Sequence, residues 1–219
     1  MNILHHLGLG DHILCNGLIR SLPYDSIVLC CKKHNAPSVA FMFRDMNVTI
    51  DTIASDADID KYANSMREPF LKIGYKGEGW NVNEGRFDST FYKQAGIDFN
   101  NRWEKFHIPR DLTREREFMK QFNVKPHEYI FVHEDVTRGY CIPNIETDLT
   151  IVRPIFGMTN VIFDYCILMQ EAAEVHCIDS SFLHIAESIP LSGRVYYHKS
   201  VRGSDGFYDA TLRGDWIIK

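Results

Sequence analysis

The stretch that decides the fold opens the chain: Asn2-Ile3-Leu4-His5-His6-Leu7-Gly8-Leu9-Gly10-Asp11-His12-Ile13, continuing as Leu14-Cys15-Asn16-Gly17-Leu18-Ile19-Arg20-Ser21-Leu22. The run at 2–6 predicts a strand. Two glycines and an aspartate follow. Leu14, Leu18 and Leu22 then recur every fourth residue, with Cys15 and Ile19 beside them, which predicts a helix to about residue 21 ended by Pro23. Strand, glycine turn and helix in that order begin a parallel β-α-β unit. Glycine lets a backbone turn sharply and approach a ligand closely. The helix start beyond it offers unpaired N–H groups and partial positive charge.

The same alternation continues. Strands are expected at 26–31, 48–53 and 70–73, the first apolar throughout, as buried parallel strands are. Helices are expected at 38–43, 58–66, 87–95 and 112–122, with a glycine-rich loop at 74–85 holding Trp80 and an irregular aromatic stretch at 99–111. Pro126, within 123–127, marks a domain boundary. Beyond it, strands at 129–132, 150–152, 175–178 and 195–198 alternate with helices at 161–173 and 181–188. The expected fold is α/β, with two small Rossmann-like units, 1–124 and 125–219, facing a cleft.

Composition bounds the function. The 219 residues carry a formal charge of −5, so no basic excess points to nucleic acid or an anionic membrane. No apolar run approaches the ~20 residues that cross a bilayer. No basic stretch followed by an apolar one suggests a signal peptide. Most of the six cysteines sit in apolar runs such as Ile27-Val28-Leu29-Cys30-Cys31, where a reduced thiol acts as a small core residue; the cytoplasm is the expected compartment. No metal is expected: no CxxC pair is present, and His5 and His6 fall on opposite faces of a strand.

Three segments carry candidate chemistry. In Gly8-Leu9-Gly10-Asp11, Asp11 reads either as a functional carboxylate or as a helix cap. A dinucleotide fingerprint needs a third glycine at fixed spacing; Cys15 and Asn16 surround that position and Gly17 falls too late, which argues against a nicotinamide cofactor. In Glu174-Val175-His176-Cys177-Ile178-Asp179-Ser180-Ser181-Phe182-Leu183-His184-Ile185-Ala186, a strand leads into a helix whose core stripe is Phe182, Ile185, Ala186 and Ile189. Asp179, Ser180 and Ser181 sit at the helix start and His184 lies off the stripe, free to face the crevice where open α/β sheets bind ligands. The rival reading makes Asp179 and Ser180 caps and His184 a surface histidine. In Val132-His133-Glu134-Asp135-Val136-Thr137-Arg138-Gly139, Arg138 has the fork that suits a diphosphate, while Glu134 and Asp135 stand ready to pair it and hold the loop.

The segment Gly8-Leu9-Gly10-Asp11-His12-Ile13, with Arg20 after it, resembles the opening of the lipopolysaccharide heptosyltransferases and related GT-B glycosyltransferases. The segment Asp179-Ser180-Ser181-Phe182-Leu183-His184-Ile185-Ala186 resembles that family's donor-binding turn, with Ser181 where the family has glycine. Arg138 sits where the family places a basic donor contact. The chain is much shorter than typical members: either each Rossmann-like domain is pared down, or the acceptor side is built by a partner subunit of a homo-oligomer. The resemblance implies a compact GT-B-like glycosyltransferase that moves a sugar from a nucleotide-sugar donor to a glycan or other hydroxyl acceptor, with inversion and no metal or cofactor. It implies Asp11 as catalytic base, Gly8 and Gly10 as the turn supporting it, and Arg138, Asp179, Ser180, Ser181 and His184 as donor contacts. Two other readings remain: a non-catalytic nucleotide-sugar-binding subunit, and a different nucleotide-using Rossmann enzyme.

Overall fold

Runs of β-branched and aliphatic residues with few polar interruptions can only be buried on both faces, which favours parallel pairing with helices as crossovers. The computed structural model describes residues 1–75, 86–202 and 209–219. Most of the expected loop at 74–85, Trp80 included, lies outside the described residues. The first unit, Met1–Pro109, runs β1 (Asn2–Leu4), α1 (Leu9–Leu14), α2 (Asn16–Ser21), β2 (Ile27–Lys32), α3 (Ala36–Met42), β3 (Val48–Ile53), α4 (Ile59–Ser65), β4 (Phe70–Lys72), α5 (Phe87–Ala95) and α6 (Asn101–Glu104). The second, Arg110–Lys219, runs α7 (Leu112–Lys120), β5 (Tyr129–His133), β6 (Thr150–Val152), α8 (Cys166–Gln170), β7 (Glu174–Cys177), α9 (Ser181–Ala186), β8 (Arg194–Tyr197), α10 (Lys199–Arg202) and β9 (Trp216–Ile218).

The sheets have strand orders β3-β2-β1-β4 and β6-β5-β7-β8-β9. Every ladder between these strands is parallel. The fold class is therefore α/β with two parallel sheets. Among the described residues no helix is long and apolar enough to cross a membrane. All six cysteines are free, and five are buried; Cys141 is exposed.

Four differences from the sequence reading have physical causes. The helix expected from the first turn to residue 21 is two helices meeting at Cys15. There the Tyr92 hydroxyl donates to Leu14 O at 2.8 Å and accepts from Leu18 N at 3.1 Å. These are the two groups that would have bonded each other in a continuous helix, so a side chain is inserted into the ladder. The expected helix at 161–173 starts as a 3-10 turn over Ile162–Tyr165 and ends at Gln170. It stops because Glu171 O accepts from His127 N and Ala173 N donates to Tyr129 O, which ties this backbone to the start of β5. The strand at 194–197 is not the last: three residues, Trp216–Ile218, add an edge strand too short to show a period.

The fourth difference is the division of the chain, which falls at Pro109/Arg110 and not at 124/125. Helix α7 was expected to close the first unit, yet it packs on the second. Arg114 meets the buried Asp164 at 2.7 Å, and Phe118 lies edge-on to Tyr165 with centroids 4.7 Å apart.

Within the first unit α2 crosses α6 closely. A Cβ at Gly17 would stand 1.9 Å from the Asn101 carbonyl oxygen. Beside this crossing, Arg102 of α6 and Asp88 of α5 form a buried ion pair at 2.6 Å.

Gly17→Ala should therefore force α2 off α6 and cost about 1–3 kcal/mol, the usual range for overpacking. Urea unfolding measures it; unchanged stability would mean the two helices are not in contact. A second prediction concerns pH. Burial holds His5 in the first unit and His133 in the second neutral, each with its pKa pushed down from 6.5 to about 4. The unfolded chain takes up protons on these rings below pH 6.5 while the folded chain resists to about 4. Stability is thus full above that window and falls through it, by up to about 1.4 kcal/mol per pH unit for each ring. The melting midpoint should drop as pH is lowered across the window; a midpoint that stayed level or rose would show the rings to be already charged or exposed.

Candidate functional site

In an open parallel sheet, ligands settle outside the carboxyl ends of the strands, where the strand order reverses. The first sheet reverses at β1: the chain moves from β1 to β2 and β3 on one side, then returns to β4 on the other. The segments leaving β1 and β4 flank that point, and they carry Gly8 and Gly74. The second sheet reverses at β5, with β6 on one side and β7 on the other. The segments flanking it are 134–139 after β5 and 178–181 after β7. Each sheet thus places one of the quoted turns at its own reversal point.

At the first point Gly8 is the N-cap of α1, with φ −68°, and Asp11 lies inside the first helical turn. Asp11 is therefore not the N-cap residue. Gly8 has a φ that any residue adopts, so glycine is needed here for space. A Cβ at Gly8 would stand 2.6 Å from Asp11 Oδ2, so the carboxylate folds back over the residue where the helix begins. Gly10 is within the helix. Beneath the turn, the rings of His5 and His12 meet edge-on with centroids 4.3 Å apart. Both are fully buried, and burial lowers both pKa values. His5 Nε2 and both ring nitrogens of His12 have no hydrogen-bond partner among the described residues. Both rings are therefore neutral. Gly74 has φ +80°, and a Cβ there would strike the Phe91 ring at 2.6 Å. That glycine lets Tyr75 and Phe91 stack edge-on to His6 at 5.2 and 5.4 Å between centroids. Arg20 is remote in role: it binds Asp45 with both terminal nitrogens and holds Met42 O.

At the second point the loop after β5 is fixed by its backbone: Asp135 and Tyr140 exchange two N–H···O bonds of 2.9 Å. The Asp135 carboxylate also accepts from Thr137 Oγ1 and from the Arg138 backbone and side chain. Burial works against its ionisation, but the bonds from Thr137 and Arg138 outweigh it and hold the pKa below the ordinary carboxylate value. Glu134 turns away, pairing Arg153 at 2.8 Å and accepting from Ile142 N. Arg138 is thus held from one side and exposed on the other. After β7, Ser180 is the N-cap of α9, its Oγ accepting from Leu183 N at a long 3.5 Å, and Ser181 is the first helical residue. Phe182 packs on Phe131 and His133, as the core stripe requires. His184, expected to face the crevice, is buried, with Nε2 4.0 Å from Asp179 Oδ1.

Arg202 completes this edge, and the sequence reading had missed it. From α10, after β8, it donates to Asp179 O at 2.7 Å, and its guanidinium carbon lies 5.9 Å from the Tyr140 ring centroid. Arg138 lies 5.7 Å from the same centroid. Two cations from different loops therefore share one aromatic ring at the reversal point. The signal was present: Lys199 and Arg202 follow directly on a predicted strand, where ligand contacts belong. A separate open groove of about 560 Å³, lined by Arg114, Phe118, Thr159 and Asp164, offers less, because its arginine and aspartate already bind each other.

No family model matches the chain, and no curated protein matches it. Among solved structures the chain is similar to the crystal structure of a glycosyl transferase family 9 protein from Veillonella parvula DSM 2008. The TM-score is 0.61 at 10% identity, covering 100% of this chain and 86% of that one. That likeness is one of fold: two successive parallel α/β units of this kind are built from a sequence that has almost nothing else in common with its neighbour.

Proposed function

We propose that the chain is a glycosyltransferase that moves a sugar from a nucleotide-sugar donor to the hydroxyl of a glycan or other acceptor, with inversion at the anomeric carbon. The observation that carries this reading is the coincidence of the two quoted turns with the two sheet-reversal points, in a chain whose fold is similar to that of a glycosyl transferase family 9 protein. The donor binds the second unit. Its diphosphate meets Arg138, Arg202 and the backbone N–H groups of Ser181 and Phe182, with Asp179, Ser180 and His184 shaping the turn beneath. The acceptor binds the first unit beside Asp11, whose carboxylate lies back over Gly8 at the start of α1. Six free thiols fit a reducing compartment, the cytoplasm.

The chemistry is a single displacement. Asp11 takes the proton of the acceptor hydroxyl as that oxygen attacks the anomeric carbon. The bond from that carbon to the donor phosphate oxygen breaks, and its electron pair leaves on the nucleoside diphosphate. Fixed positive charge at Arg138 and Arg202 stabilises the departing anion as its charge develops, the role a metal ion fills elsewhere.

Asp11→Asn should lower transfer about 100-fold or more, the usual share of general-base catalysis. Because Gly8 is the cap, the folded state should lose only about 0.3–1 kcal/mol of helix-dipole stabilisation. A transfer assay beside a melting curve reads both, and full activity in the stable variant would remove Asp11 from the chemistry. Donor binding without turnover in the native chain would instead identify a non-catalytic binding subunit. Arg138→Ala should leave the 134–139 loop in place, since backbone bonds between Asp135 and Tyr140 hold it. It should weaken nucleoside diphosphate binding about tenfold or more, the worth of one charge-assisted bond. Unchanged affinity by calorimetry would leave Arg138 as the partner of Asp135 alone.

A further inference from the structure

On the face of the second sheet opposite α9, three ionisable side chains form a line. Glu174 and His176 alternate along β7, and Tyr196 and His198 along and just beyond β8, with Glu174 paired to Arg194 and His176 to Tyr196 in register. Glu174 Oε2 lies 3.0 Å from His176 Nε2, and His176 Nδ1 lies 2.9 Å from His198 Nε2. The His176 ring is stacked on Tyr196, 4.3 Å between centroids and 7° from parallel, so it cannot swing away from the line. His198 ends the line at the carboxyl edge of the sheet. Its backbone N–H donates to Cys177 O at 2.8 Å, directly before the turn at 178–181.

The bonding pattern assigns the protons. A carboxylate only accepts, so His176 must carry its proton on Nε2. Burial keeps both rings neutral at neutral pH, holding His176 below its ordinary value and His198 at about 4. A neutral His176 protonated on Nε2 has a lone pair on Nδ1, which needs a donor, and the group facing it is His198 Nε2. His198 must then be protonated on Nε2 as well, leaving a lone pair on Nδ1. That nitrogen has no hydrogen-bond partner among the described residues, and His198 keeps 8% of its surface open.

We propose that His198 is a ligand-contacting residue of the second unit, its Nδ1 fixed as a hydrogen-bond acceptor through His176 by Glu174, and that it accepts from a hydroxyl of the bound nucleotide donor. The proposal rests on the reading that this unit binds the donor. An acceptor nitrogen rejects phosphate oxygens and selects an O–H group, so His198 complements Arg138 and Arg202 by fixing which part of the ligand lies over β8. Glu174 and His176 are positioning residues that never touch the ligand.

Two measurements test it. Long-range proton–nitrogen NMR of the full chain with nitrogen-15 histidine, at neutral pH and without ligand, should show both His176 and His198 protonated on Nε2. Glu174→Gln, whose amide can donate as well as accept, should give His198 a mixture of both forms. A His198 protonated on Nδ1 in the native chain would overturn the assignment. Calorimetry with UDP, ADP, GDP and CDP, their 2′-deoxy and 3′-deoxy counterparts and the corresponding nucleotide glucoses locates the hydroxyl. His198→Ala should weaken the tightest of them about tenfold. Where a deoxy ligand binds the native chain weakly and His198→Ala no worse, the hydroxyl is on the ribose; where only the nucleotide sugar loses affinity in His198→Ala, it is on the sugar. If every nucleoside diphosphate and nucleotide sugar that binds the native chain binds His198→Ala equally, the proposal is overturned and the donor reading stands. If none of the ligands binds the native chain, the donor reading fails and this contact with it, whatever the NMR shows.

Discussion

Every ladder between named strands in this chain is parallel, and the rest of the structure follows from that constraint. Parallel neighbours cannot be joined by a tight turn, so each strand must be followed by a crossover that returns the chain to the opposite end of the sheet. All strands of a sheet then deliver their following loops to the same edge. The two reversals of strand order, at β1 and at β5, open gaps between those loops. Side chains as far apart in sequence as Asp135, Asp179 and Arg202 meet at one edge because three parallel strands end there.

The two edges differ in charge in a way that suits division of labour between them. The first carries a carboxylate, Asp11, in a turn whose two buried imidazoles, His5 and His12, burial holds neutral. At the second, two guanidinium groups flank Tyr140, Arg138 held by the Asp135 carboxylate and Arg202 by the Asp179 carbonyl. Under the proposed reading the first edge handles the proton and the second the departing anion.

What could be read in the sequence was whatever depends on near neighbours. Gly8 and Asp11, Ser180 and Ser181, and the stripe of Phe182 and Ile185 are local patterns, and they fell at the strand ends where ligand sites occur. What could not be read depends on residues that meet only in space. The break at Cys15 is caused by the hydroxyl of Tyr92, more than seventy positions away. Helix α7 has an apolar stripe that matches either unit by pattern, and only Phe118 against Tyr165 and Arg114 against Asp164 assign it. His176 and His198 look unrelated until the register of β7 and β8 brings them together. The need for glycine at position 8 was visible, but its reason was not: the φ is ordinary, and the carboxylate of Asp11 occupies the space a Cβ would fill.

The most direct test of the donor assignment is a crystal structure of the full chain with a bound nucleoside diphosphate, taking UDP, ADP, GDP or CDP as found to bind by calorimetry. The phosphates should lie at the carboxyl edge of the second sheet, between the 134–139 loop and the 178–181 turn, within hydrogen-bonding reach of the Ser181 N–H and of Arg138 or Arg202. Phosphates bound at the carboxyl edge of the first sheet, beside Asp11, or away from both strand-reversal points, would contradict it.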